Sequence, residues 1–142
     1  MPQLVKGGKW VFGWTVVGPG REILIPPQAY AEYGFQAGEK VLFLAGSRTS
    51  GGFGIGRPER LAGSPVPLQS RTLGQGVIEA GGYVKIPAGI DLQPGARLLV
   101  ARGSGLALGF LQRGPIYQEA GRHPGIEVFE VGGLAIGPTH LR

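Results

Sequence analysis

Cysteine is absent from this chain, which removes thiol nucleophiles, thiolate zinc sites and disulfides together. Histidine is nearly as scarce: His123 and His140 both fall toward the C-terminal end, and neither stands at metal-ligand spacing from a second histidine or a carboxylate cluster. Carboxylates are thinly scattered, and the pair Glu127 and Glu130 would point to opposite faces of a strand, which excludes a general acid/base dyad there. A long apolar run is also missing. The stretch 10–17 is interrupted by Gly13 and Thr15, is too short to span a bilayer and lacks a small-residue cleavage site. These absences lead to the expectation of a cytoplasmic, non-enzymatic protein with no cofactor and no metal.

What the chain does have is glycine, 28 of 142 residues, and 12 prolines. That composition suits short strands joined by tight turns and penalises long helix interiors, so the expected class is mostly β. The length is enough to bury a core without a metal or disulfide staple. Fourteen basic against nine acidic residues leave a net charge of +5, with a pI near 10.0. A surface of that sign favours polyanions, because each neutralised phosphate releases condensed counterions.

An internal repeat organises the sequence. Residues 12–26, FGWTVVGPGREILIP, align without a gap on residues 73–87, LGQGVIEAGGYVKIP. Gly13 meets Gly74, Val16 meets Val77, Gly20 meets Gly81, Ile25 meets Ile86 and Pro26 meets Pro87. Once four residues are dropped from the second copy the match resumes, with Gln36 on Gln93, Gly38 on Gly95, Leu42 on Leu99 and Gly46 on Gly103. The chain therefore divides into repeat one at about 10–57, a proline-bearing linker at 58–72, repeat two at about 73–113 and a C-terminal extension at 114–142.

Each copy predicts a first strand (10–17 or 73–78), a glycine turn and a short second strand (22–25 or 83–86). Ile23 and Ile25, like Val84 and Ile86, should face the core. In copy one Pro27 opens a two-turn helix, Pro27–Tyr33, and Gly34 stops it in the left-handed conformation. The strand Lys40–Ala45 follows, with a return strand at 52–57. Copy two replaces the helix by 88–91, room for one turn only, and returns at 106–113. In the extension, 126–131 reads as a strand laid on an exposed edge.

The stretches ILIPPQAYAEYGFQAGEKVLFL and VKIPAGIDLQPGARLLV resemble the AbrB/SpoVT-like pattern: a strand ending in Ile-Pro, a short helix, and Gly-apolar-x-x-Gly-Glu-x-Val leading into another strand. The resemblance covers about residues 10–57 and 71–113. It implies a swapped-hairpin barrel built from the two internal repeats, a single pseudo-twofold domain with one short helix in the first repeat. The commonest role in that family is transcriptional regulation by binding double-stranded DNA, and homo-oligomers are a further expectation.

A basic face can be assembled from Lys6 and Lys9 before the first strand, Arg71 before its counterpart, Arg21 before the second strand and Lys85 within its counterpart, all expected to contact DNA. Trp10 and Trp14, with Phe12 between them on one strand face, offer an aromatic contact or an interface. The family's usual arginine positions carry Glu22, Tyr83, Tyr30 and Ala31 here. That substitution favours an alternative, a protein-interaction or self-assembly module that has kept the barrel and lost its DNA contacts. The glycine runs at 51–56 and 103–109 begin no expected helix, so they read as strands whose glycines admit close neighbours and not as phosphate loops. A small-ligand barrel enzyme would need convergent polar groups that the sequence does not assemble.

Overall fold

The computed structural model describes residues 10–103, 106–131 and 135–136. The class is mostly β. In chain order the elements are β1 (Val11–Val16), β2 (Glu22–Leu24), α1 (Pro27–Tyr33), β3 (Lys40–Ala45), β4 (Phe53–Gly56), α2 (Pro58–Ala62), α3 (Leu68–Arg71), β5 (Thr72–Val77), β6 (Tyr83–Lys85), β7 (Arg97–Arg102), β8 (Leu108–Leu111), α4 (Pro115–Ala120), β9 (Val128–Glu130) and β10 (Ala135–Ile136). Eight strands form one sheet in the order β10-β9-β1-β7-β8-β4-β3-β5, and β2 and β6 form a separate ribbon. No helix among the described residues is long and apolar enough to cross a membrane.

Pairing between the copies is reciprocal. The first strand of copy one, β1, pairs with β7 of copy two, while β5, the first strand of copy two, pairs with β3 of copy one. Along the middle, β4 meets β8 with Phe53 opposite Phe110, and β2 meets β6. Loop hydrogen bonds repeat at aligned positions. Val17 N–H donates to the Ala96 carbonyl and Gly95 N–H to the Val17 carbonyl, matching Ile78 to Glu39 and Gly38 to Ile78. Ile25 N–H to the Gly82 carbonyl likewise matches Ile86 to Arg21.

Even the irregularities correspond. In β1 the partner register skips Phe12 between Val11 and Gly13, and in β5 it skips Leu73 between Thr72 and Gly74. A bulge of this kind gives two residues on one strand to one on the other and reverses which face the following side chains take. Phe12 and Val17 therefore enter the main core between the large sheet and the ribbon, whereas Val11 and Trp14 enter a second cluster on the outer face under α4. The expectation that Trp10, Phe12 and Trp14 share a strand face is corrected by this one extra residue.

The expected barrel is not closed. β2 and β6 have only three residues each, and Pro26 and Pro87, lacking an N–H donor, follow shortly after them. The ribbon is instead held against the sheet by core packing and by the buried Thr15 hydroxyl, which donates to the Leu24 carbonyl at 2.9 Å. The linker is also more ordered than its prolines suggested. Pro58 and Pro115 sit at the first positions of α2 and α4, where a missing N–H costs nothing, so helices form where the sequence reading had a linker and an irregular extension. Helix α1 runs over the residues expected, capped by Gly34 at φ 68.

At the centre of the main core the Phe53 and Phe110 rings stack at 4.9 Å between centroids, and Phe43 tilts against Phe53 at 5.1 Å. All three are almost wholly buried. Because this stack lies where the two copies meet, Phe110→Ala should destabilise the protein by about 3–5 kcal/mol in chemical denaturation. A loss under about 1 kcal/mol would show that the stack is not the anchor of that junction.

Candidate nucleic-acid interface

Arg21 is the non-glycine residue at which the backbone turns left-handed, with φ 59; its aligned counterpart is Gly82, at φ 89. Keeping a side chain at a position that favours glycine is accounted for by what the guanidinium does. Its Nε donates to the Leu92 carbonyl at 3.1 Å, and Nη2 donates to the carbonyls of Pro87 and Ile90. Those carbonyls belong to the single turn that replaces a helix in copy two. Arg21 thus fastens copy one to the irregular segment of copy two, and its hydrogen-bonding capacity is largely turned inward.

Lys85 is exposed, as expected, but stands opposite Glu22 in the ribbon. The Glu22 carboxylate accepts from Gly20 N–H at 3.2 Å. Exposed Glu79 and Asp91 flank the same region, so the ribbon face carries mixed charge. Arg71 turns instead to the outer face of the large sheet, where it donates to the Ala45 carbonyl. Lys6 and Lys9 lie outside the described residues. The structure therefore brings Arg21 and Lys85 together across the ribbon and sets Arg71 apart from them.

The two tryptophans also separate. Trp14 is 4 % exposed, covered by an edge-on Tyr117 ring of α4 at 5.0 Å and by the Arg97 guanidinium, 4.4 Å from its ring centre. Trp10 is 40 % exposed at the edge of β1. Trp14 is core, and only Trp10 is available for an aromatic contact.

Two arginines outside the expected basic face, Arg48 and Arg113, join Arg71 in a different pattern. Arg48, Arg71 and Arg113 all surround the turn 46–52. Arg113 Nη2 donates to the Arg48 carbonyl at 3.1 Å and lies over Gly51, while Arg71 holds Ala45 at the start of that turn. No aspartate or glutamate occurs in 40–58, 60–78 or 92–118. The signal that could have found this region was visible: three long acid-free stretches, each contributing an arginine. What sequence could not supply was the pairing of β4 with β8 that brings those stretches to one place.

Elsewhere cations are matched by carboxylates, across the copies at Arg102 and within copy one at Arg57. Arg102 of β7 makes two bonds of 2.6 Å to Glu32 of α1, and Arg57 binds Glu39 and the Gly34 carbonyl. The Arg102 hydrogen bond holds the Glu32 carboxyl below the usual carboxylate range. Burial pushes the neighbouring Tyr33 hydroxyl up; it donates to the Ala107 carbonyl at 3.3 Å. His123 packs against Glu119 at 3.0 Å on α4, and that contact, with Arg122, lowers the Glu119 carboxyl. His140 lies outside the described residues. Among the described residues no group of three or more metal-ligating side chains converges.

Compared with known proteins, the chain matches no family model, no curated protein and no solved structure.

Two outcomes follow from these contacts. Arg21→Ala, which removes charge-assisted bonds to three carbonyls, should lower unfolding stability by about 1–3 kcal/mol in urea titrations; an unchanged midpoint would mean that water replaces the guanidinium at no cost. A carboxylate whose folded pKa is depressed contributes stability above its unfolded value and loses it as pH falls through the folded one. Arg102→Gln should therefore return Glu32 to the ordinary carboxylate range in an NMR titration. The stability difference from the parent should be present at neutral pH and vanish in acid.

Proposed function

We propose that this chain is a non-enzymatic DNA-binding regulator, built as a single-chain counterpart of the swapped-hairpin AbrB-like dimer. The observation that carries the reading is the reciprocal exchange of first strands between the two copies, with bulges at the same aligned position and matching loop hydrogen bonds. One copy alone would leave β1 and β5 without their partners and bury too little surface to stand by itself. A DNA partner is supported by the net charge of +5 and by the acid-free turn region of Arg48, Arg71 and Arg113. In this reading that region takes over contacts that Arg21 cannot make while it holds the turn of copy two.

Duplex DNA binding should weaken steeply with salt, as expected of phosphate neutralisation. Arg48→Gln combined with Arg113→Gln should reduce the slope of log affinity against log salt by about two, and Arg21→Gln should leave that slope unchanged. Absence of affinity for any duplex at low salt would sink the reading.

A second reading, self-assembly, is favoured by one specific asymmetry. The outer edge of β1 is occupied by β9 in parallel, with Trp14 opposite Val128, but among the described residues β5 ends the sheet. Residues 72–78 of that edge carry no charge, and Leu73 and Val77 are 41 % and 47 % exposed. An uncharged edge strand is a template for another strand. Sedimentation should then reveal a concentration-dependent oligomer that Val77→Lys dissolves; a wild-type protein that stays monomeric at high concentration would exclude it.

A further inference from the structure

The outer face of the large sheet, between α3 and the strand β8, holds a cavity of about 230 Å³. Its apolar walls include Leu44, Leu61, Val66 and Leu111, and Gly54 and Gly109 form part of its lining. These two glycines are register partners across β4 and β8, next to Phe53 and Phe110, which fill the main core. Alternation along the strands therefore puts the glycine positions on the outer face. At the mouth stand Arg71 and the serines Ser47 and Ser50.

Most glycines of these hairpins are required by close approach. A Cβ would stand 1.9 Å from the Gly51 carbonyl oxygen at Gly46, 2.0 Å from that of Phe110 at Gly52, and 2.5 Å from that of Leu106 at Gly56. Gly54 and Gly109 differ. Neither has a positive φ, and the nearest atom to an added Cβ is 3.4 Å away at each, an ordinary contact. Glycine within a strand weakens it, and neither a positive φ nor a collision at the Cβ position requires it here, so the missing side chains leave room on the outer face.

We infer that this space is a binding site for a small amphipathic anion, a single aromatic ring or short alkyl chain bearing a phosphate or carboxylate. The size sets the apolar part, because an apolar cavity of about 150 Å³ accommodates benzene. The rim sets the charge. Arg71 uses one of its N–H donors on the Ala45 carbonyl and presents a fork suited to an oxyanion, and no carboxylate is among the described residues that line the cavity. Arg48 lies on the turn 46–52 and Arg113 packs against it, and both add to the positive field. The site goes beyond the DNA reading and stands without it.

Phenyl phosphate is the probe, with benzyl alcohol and inorganic phosphate as its neutral and headgroup-only comparisons. Titrated into the full chain, phenyl phosphate should shift the amide resonances of Gly54 and Gly109 and bind at least tenfold more tightly than either comparison. Arg71→Ala should remove most of that advantage while leaving benzyl alcohol affinity as it was. Gly109→Val should abolish both ring ligands while keeping the parent's circular dichroism and an equal or higher melting temperature; Gly54→Val serves if that variant does not fold. The inference fails if phenyl phosphate leaves both amides unmoved, if it binds no better than benzyl alcohol, or if the folded valine variant still takes it up. Because no DNA is present, the result is independent of whether duplex binding exists.

Discussion

The structure depends on one constraint: the first strand of neither repeat pairs within its own repeat, and each takes its antiparallel partner from the other. β1 pairs with β7, β5 with β3, β4 with β8 and β2 with β6, so separating the copies would expose the edges of eight strands and divide the core between Phe53 and Phe110. Folding of either copy is thus conditional on the other. That dependence explains why the alignment stays gap-free through the first strand, turn and second strand, where the exchange occurs. It also explains why the four-residue deletion falls at the helix position, which lies outside the exchanged pairing.

Where the copies differ, the environment has been adapted side by side. α1 supplies Tyr33 to cover Phe12, an edge-on contact of 6.5 Å, while Leu73 in copy two has only a single turn nearby and stays exposed. Copy one has Trp14 beneath α4, and the aligned residue in copy two is Gln75, exposed on a bare edge. Arg21 adds side-chain donors to three carbonyls of the replacement turn, of which those of Pro87 and Ile90 also accept a backbone N–H from the turn itself. Arg21, expected at a DNA contact by its place in the motif, thus also bridges copy one to the segment where copy two carries its deletion.

Local chemistry was legible in the sequence and long-range placement was not. Pro27 and Gly34 bracket α1 because a fixed φ opens the helix and a left-handed glycine closes it, both within one turn of sequence. Lys40–Ala45 follows from the turn at 36–39 leading into a short apolar run. The bulges were invisible because a single unpaired residue leaves no mark on composition, yet each reverses the strand's faces and so misplaced the tryptophans. The proline-led helices α2 and α4 were hidden for the opposite reason, since proline at a first helical position and proline in a turn look alike. The mate of Arg102, Glu32, lies far away in sequence, as do the carbonyl partners of Arg21 and the turn around which Arg48 and Arg113 meet.

Glycine carries the same ambiguity to its end. In the runs 51–56 and 103–109 one composition serves two physical purposes, and only the cross-strand register tells them apart. At Gly52 and Gly56 a side chain would collide with a carbonyl of the opposing strand, so glycine is the condition for the copies to approach. At Gly54 and Gly109 a side chain would fit, and its absence keeps the outer face hollow beside Arg71. Both positions lie in strands that carry the junction between copies, where filling the gap would add β propensity and apolar contact at once. A hollow kept beside Arg71, where a side chain would fit, is the feature on which the proposed anion site rests.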